Sequence, residues 1–161
     1  MPVLDSLFAS QVVLVATAAV VFYAAVTDFR TFTISNNLIV ALALLFVLYA
    51  SISGRWSEVP WNIGFATLIL VFLIWFYALG WMGGGDVKLL TVALLWTGLH
   101  CALVFAILLL VFSCLHTAVV KTKGAATKKS NGGARTRIPF APSIAAALVG
   151  VIMLGCLRVP A

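Results

Sequence analysis

The chain has 161 residues, of which 64% are hydrophobic and 9% charged. A soluble domain carries about 25% charged residues, so this composition excludes a soluble enzyme and marks an integral membrane protein. The formal charge of +6 does not point to nucleic acid, because six of the ten basic residues lie between Lys121 and Arg137, with no interleaved aromatics on which bases could stack.

The apolar runs are continuous and lack the two-residue alternation of a membrane barrel strand, so a helical bundle is expected. The first run, Leu7 to Val26, is 20 residues long, enough to cross a hydrocarbon core of about 30 Å. The segment before it carries Asp5 and no Lys or Arg, so it reads as a retained helix rather than a secretory signal. A polar connection, Thr27 to Asn37, follows, in which Ser35 or Asn36 can cap a second helix over about Leu38 to Ile52. After the loop Ser53–Pro60 comes a third span, Trp61 to Met82. Trp56 and Trp61 at one end and Trp81 at the other suit the aromatic belts of membrane interfaces, whereas Trp75 is expected inside the bundle.

Val87 to Val120 is 34 residues long, too many for one span and barely enough for two of about 17–25. The break is expected at Trp96–His100. A fourth helix from Asp86 to Thr97 would then cover only about 18 Å, so either Asp86 lies inside the membrane boundary or the helix begins within the preceding glycines. The fifth helix is expected from Leu99 to Val120. The basic, glycine-rich segment 121–137 reads as a flexible loop drawn to anionic lipid headgroups. The last span, Pro139 to Leu157, has Pro139 and Pro142 in its first turn, where a missing N–H costs nothing. The expectation is an all-α polytopic membrane bundle of six transmembrane helices in a single domain, 1–161. Cys101, Cys114 and Cys156 lie singly in apolar runs and read as small apolar fillers, with no zinc site or disulfide framework indicated. Neither His100 nor His116 has a matched partner, and no metal or cofactor is expected.

The positive-inside rule puts the 121–137 loop in the cytoplasm. Counting back through six spans places the 28–37 and 80–88 connections on that side, and 53–60, 96–100 and both termini outside. Of the four acidic residues, Asp28 and Asp86 then share the cytoplasmic face, while Asp5 and Glu58 fall on the other. An ionisable residue among membrane helices is costly and points to function by default. Two carboxylates at one depth can share a proton, so that the ionised one activates water and the protonated one polarises a peptide carbonyl. The plainer alternative pairs Asp28 with Arg30 and leaves Asp86 to pair with Lys88 or to cap the fourth helix.

Gly83-Gly84-Gly85-Asp86-Val87-Lys88 resembles the GxGD-x-K motif of the type IV prepilin peptidases, the GxGD aspartic proteases of pilus and type II secretion systems. Asp28, followed by Arg30 and Ile34-Ser35-Asn36, is similar to that family's first aspartate and downstream Ile-Pro-Asn element, with Ser35 in place of the proline. Ile138-Pro139-Phe140-Ala141-Pro142 is similar to the start of its final helix. The resemblance implies that Asp28 and Asp86 are the catalytic pair of a peptidase in the inner membrane, cutting the leader of a prepilin or pseudopilin at the cytoplasmic face. The sequence has neither the insert nor the paired CxxC elements associated with N-methylation in larger relatives. It resembles the small, peptidase-only branch of tight-adherence pilus systems.

Within this reading Gly83, Gly84 and Gly85 form an unwound strip that pairs with the extended leader junction. Lys88 reads as a headgroup anchor, Asn36 as a cap, and Pro139 and Pro142 as supports of the last helix. Two competing readings are a non-enzymatic transporter or assembly subunit that moves protons or ions through the Asp pair, and a GxGD protease with an archaeal preflagellin-like substrate.

Overall fold

The computed structural model describes residues 2–31, 33–123, 128–129, 136–137 and 140–157. These form five helices, α1 (Pro2–Thr31), α2 (Asn36–Ser53), α3 (Val59–Ala78), α4 (Gly84–Lys123) and α5 (Ala141–Met153), with a two-residue antiparallel pair, β1 (Lys128–Lys129) and β2 (Thr136–Arg137), between the last two. Four helical stretches are long and apolar enough to cross a membrane: Ser6–Thr31, Asn36–Ser53, Val59–Ala78 and Gly84–Val119. The described residues therefore do not divide into the six separate helices expected, and α5, at 13 residues, is shorter than a full span.

The expected fourth and fifth helices are one continuous element interrupted at Gly98, whose φ of 56° and ψ of −168° are not helical. Asp86 and His116, on either side of that break, both interact electrostatically with the Asp28 carboxylate. A straight helix would hold two residues 30 positions apart at about 45 Å, so the chain reverses at Gly98 and α4 has two limbs.

Cross-contacts fix the register of the bundle. Along the first limb, α3 runs antiparallel, with Asn62 against Gly98 and Tyr77 against Gly84. α2 runs parallel to it, through Lys88 Nζ on Asn36 Oδ1 at 2.9 Å and Trp96 Nε1 on the Leu42 carbonyl at 3.0 Å. Along the second limb α5 runs antiparallel: a disulfide joins Cys101 to Cys156, Leu108 packs on Gly150, and His116 and Ala141 both meet Asp28. The molecule thus has an Asp28 end and a Gly98 end.

Leu42, Leu89, Phe105, Ile144, Leu148, Val21 and Val151 are fully buried where α1, α2, α5 and the limbs of α4 meet. By contrast α3 fully buries only Ala66 and Leu73, packs Val59, Phe65, Ile69 and Leu70 partly against the core, and presents much of its remaining apolar surface outward. In a bilayer such surface is covered by lipid, which is as apolar as the side chains themselves. Trp75 belongs to this surface: it is 64% exposed rather than packed inside, because it lies on the outer side of α3. Trp56, Trp61 and Trp81 are also exposed.

Three further boundaries depart from expectation. α1 continues through Asp28 to Thr31, where the polar connection was expected. The Thr27 and Thr31 hydroxyls donate to the carbonyls of Ala24 and Thr27 at 2.9 and 2.8 Å, so polar residues stay within the helix and the end of the apolar run is not the helix end. α5 begins at Ala141, with Pro142 in its first turn, and closes in turns over residues 154–157. Pro139 lies outside the described residues. Of the basic loop expected over 121–137, Lys121–Lys123 continue α4 and the β1–β2 pair occupies four more positions. Residues 124–127 and 130–135 lie outside the described residues.

Candidate active site

The Asp28 end gathers nearly every residue that the sequence motifs single out. Asp28 sits in the last turn of α1 and is 6% exposed. Its carboxylate accepts the backbone N–H of Ala141, the first residue of α5. That N–H has no acceptor within its own helix, and the proline following it marks where the free donors lie. Asp28 Oδ2 is buried without a hydrogen-bond partner in the protein. No ion pair joins Asp28 to Arg30; among the described residues the ion pair is Arg55–Glu58, at the opposite end.

Asp86 stands in the first turn of α4, half-buried, and interacts electrostatically with Asp28. Its carboxylate accepts the backbone N–H of Gly83, while the Val87 N–H donates to the Gly83 carbonyl at 3.1 Å. This is one half of a capping box, in which the third helical residue reaches back to the N-cap N–H. Gly83 has no side chain to return the bond, and the Val87–Gly83 bond is the helix's own first i→i−4 bond. Asp86 therefore caps its helix and faces the other carboxylate at once. Only Gly83 is outside the helix; Gly84 and Gly85 form its first turn, and the expected unwound strip of three is absent. The capping bond explains this, since it satisfies the helix start without unwinding.

Gly83 and Gly84 allow close approach instead, whereas a Cβ on Gly85 would make an ordinary contact. A Cβ on Gly83 would stand 3.1 Å from Asp86 Oδ2, one on Gly84 3.3 Å from the Tyr77 ring, and one on Gly85 3.4 Å from the Ile34 side chain. The Ile34-Ser35-Asn36 element thus lies directly on the glycine motif. Ile34 covers Gly85, Ser35 caps α2 by accepting the Asn37 N–H at 3.3 Å, and Asn36 accepts from Lys88. Gly83→Ala is expected to push the Asp86 carboxylate off its position and lower the rate of the reaction about 10- to 100-fold. Steady-state cleavage kinetics at matched protein level check this; a wild-type rate would remove the steric role given to Gly83.

Lys88 is exposed and turned toward α2, not toward the carboxylates. Its ammonium donates to Asn36 Oδ1. Lys88→Met is expected to keep cleavage within about threefold of wild type and to cost about 1 kcal/mol of stability, the worth of one exposed hydrogen bond. A loss of cleavage beyond tenfold would bring Lys88 into the chemistry.

Two neighbours of Asp28 escape the sequence motifs. His116 reaches it from the second limb of α4, thirty residues past Asp86, and Ala141 contributes a main-chain atom that no side-chain pattern reveals. Among the described residues, no group of three or more His, Cys, Asp or Glu stands together as metal ligands.

The sequence profile of the type IV leader peptidase family matches residues 15–121, well over half the chain and the whole stretch carrying Asp28 and Asp86. The chain belongs to that family. The family is one of peptidases, and the apolar helices make this member a membrane protein. No curated protein matches the chain, and no solved structure does.

Proposed function

We propose that this protein is a GxGD-type aspartic endopeptidase of the inner membrane that removes the leader of prepilin or pseudopilin precursors at the cytoplasmic face. The observation that carries the reading is the meeting of Asp28 and Asp86, brought together from α1 and α4, with one Asp28 oxygen buried and unpartnered. Two interacting carboxylates do not both ionise readily, so in this reading the pair shares one proton. The ionised carboxylate takes a proton from water as the water attacks the scissile carbonyl, and the protonated one donates to the carbonyl oxygen. As the tetrahedral diol collapses, the carboxyl that took water's proton gives it to the leaving nitrogen and the other takes one from a diol hydroxyl, so the C–N bond breaks and the pair again holds one proton. The Ala141 and Gly83 N–H groups hold the two carboxylates in place without entering the proton transfer.

Two further features favour this reading. The segment with the densest positive charge, 121–137, leaves α4 and enters α5 at the Asp28 end, as expected for a cytoplasmic face. Ion or proton transport would need polar groups along the bundle, and the buried polar residues among those described, apart from Asp28, are Thr17, Thr97 and Ser143. The test is co-expression with a prepilin, reading the mature N-terminus by mass spectrometry. The expected product begins at the residue after the leader; a precursor that stays uncut with every prepilin and pseudopilin of the same genome sinks the proposal.

A further inference from the structure

The Gly98 end carries chemistry that the peptidase reading does not use. Cys101, three residues past the chain reversal, is joined by a disulfide to Cys156, just beyond α5. Around it the Arg55 guanidinium makes two bonds to Glu58, of 3.1 and 2.7 Å, and donates to the Leu157 carbonyl at 2.6 Å. The Tyr49 hydroxyl donates to the same carbonyl at 2.8 Å. Three ties therefore converge on the last described turn, residues 154–157, and one of them is covalent.

We propose that Cys101–Cys156 is an oxidative modification site made on the extracytoplasmic side of the membrane by exchange with a protein disulfide oxidant. The proposal rests on where the cysteines lie. Disulfides persist in oxidising compartments and not in the reducing cytoplasm. The charge pattern gives the same orientation from unrelated physics. The loop at the Gly98 end carries one Arg and one Glu paired to each other, and Arg158 follows Leu157 in the sequence, whereas Arg30 and Lys88 lie at the Asp28 end, where α4 runs into the segment 121–137 with its six basic residues. Cys114, two residues before His116 and so near the Asp28 end, is a free, exposed thiol. The paired cysteines and the excess of positive charge therefore fall at opposite ends of the bundle, in the directions that a reducing, positive inside and an oxidising outside require.

The chemistry balances with that oxidant. The thiolate of one cysteine attacks a sulfur of the oxidant's disulfide, giving a mixed disulfide and freeing one oxidant thiol. The second thiolate attacks its partner's sulfur in that intermediate, closing Cys101–Cys156 and releasing the oxidant as a dithiol. Two electrons and two protons pass from the cysteines to the oxidant. The product joins the reversal at Gly98 to the end of α5, whose other end bonds Asp28.

The test uses the wild-type chain in its own membrane. Cells are acid-quenched, free thiols are blocked with N-ethylmaleimide, and the denatured chain is reduced and treated with a polyethylene glycol maleimide. Two added labels per chain are expected in cells with their extracytoplasmic thiol oxidase, and none in anaerobically grown cells lacking it. Free Cys101 and Cys156 thiols in the first strain, or undiminished pairing in the second, overturn the proposal. Prepilin cleavage is assayed separately, so a chain that is oxidised but cannot cleave retains the disulfide proposal and removes the peptidase one.

Discussion

Asp28→Asn and Asp86→Asn are each expected to abolish leader cleavage while the chain accumulates in the membrane at its normal level. General acid–base catalysis by one positioned group contributes about 10²- to 10⁴-fold, and in the proposed mechanism each carboxyl performs one half of a single transfer. Asparagine is nearly isosteric and retains a carbonyl oxygen. The Ala141 N–H at position 28 and the Gly83 N–H at position 86 therefore keep an acceptor, so folding is preserved where proton exchange is lost. A dyad of this kind acts as a unit, so the proposal expects the double variant to be about as inactive as either single one. The measurement is precursor conversion over time at matched protein level. A single variant that cleaves within tenfold of wild type would show that its carboxyl only caps or packs, the role Asp86 also fills at the start of α4.

The site was more legible in the sequence than the bundle that presents it. Asp28 and Asp86 stand out because a carboxylate in hydrocarbon is expensive, and counting passes placed them at one end. The Gly98 reversal was visible as excess length, since 34 apolar residues fit neither one span nor two comfortably. The end of α1 was misplaced because hydropathy reports what lipid covers, and Thr27 and Thr31 hydrogen-bond their own helix instead of ending it. Glycine count suggested an unwound strip, but the Gly83 N–H bonds the Asp86 carboxylate, a position-specific contact that composition does not encode. The cysteines were misjudged for a topological reason: a separation of 55 residues carries no spacing signal, and only the antiparallel packing of α5 on the second limb of α4 brings them together. His116 was missed in the same way, since its relation to Asp28 exists only after the reversal.

Gly98→Ala is expected to be the most damaging conservative change outside the carboxyl pair, and for two separable reasons. The first is the backbone: φ of 56° with ψ of −168° is a region essentially reserved for glycine, and a side chain there costs about 1–3 kcal/mol. The second is space, because a Cβ would run into the Asn62 side chain amide, and overpacking of this kind costs a further ~1–3 kcal/mol. Together they consume much of the ~5–15 kcal/mol that typically holds a domain folded. Asn62→Ala in the same chain removes the overlap and leaves the backbone cost, so the double variant should recover part of the lost stability and never all of it. Thermal unfolding of the purified chain in detergent reads both steps. Cleavage should fall with stability in Gly98→Ala, although Asp28 and Asp86 are untouched. The reversal alone returns the second limb of α4 to the Asp28 end, and α5, which supplies the Ala141 N–H to Asp28, packs along that limb. If Gly98→Ala unfolded at the wild-type temperature, the tight reversal would be unnecessary to the fold. If Asn62→Ala restored it fully, the backbone angle would carry no cost.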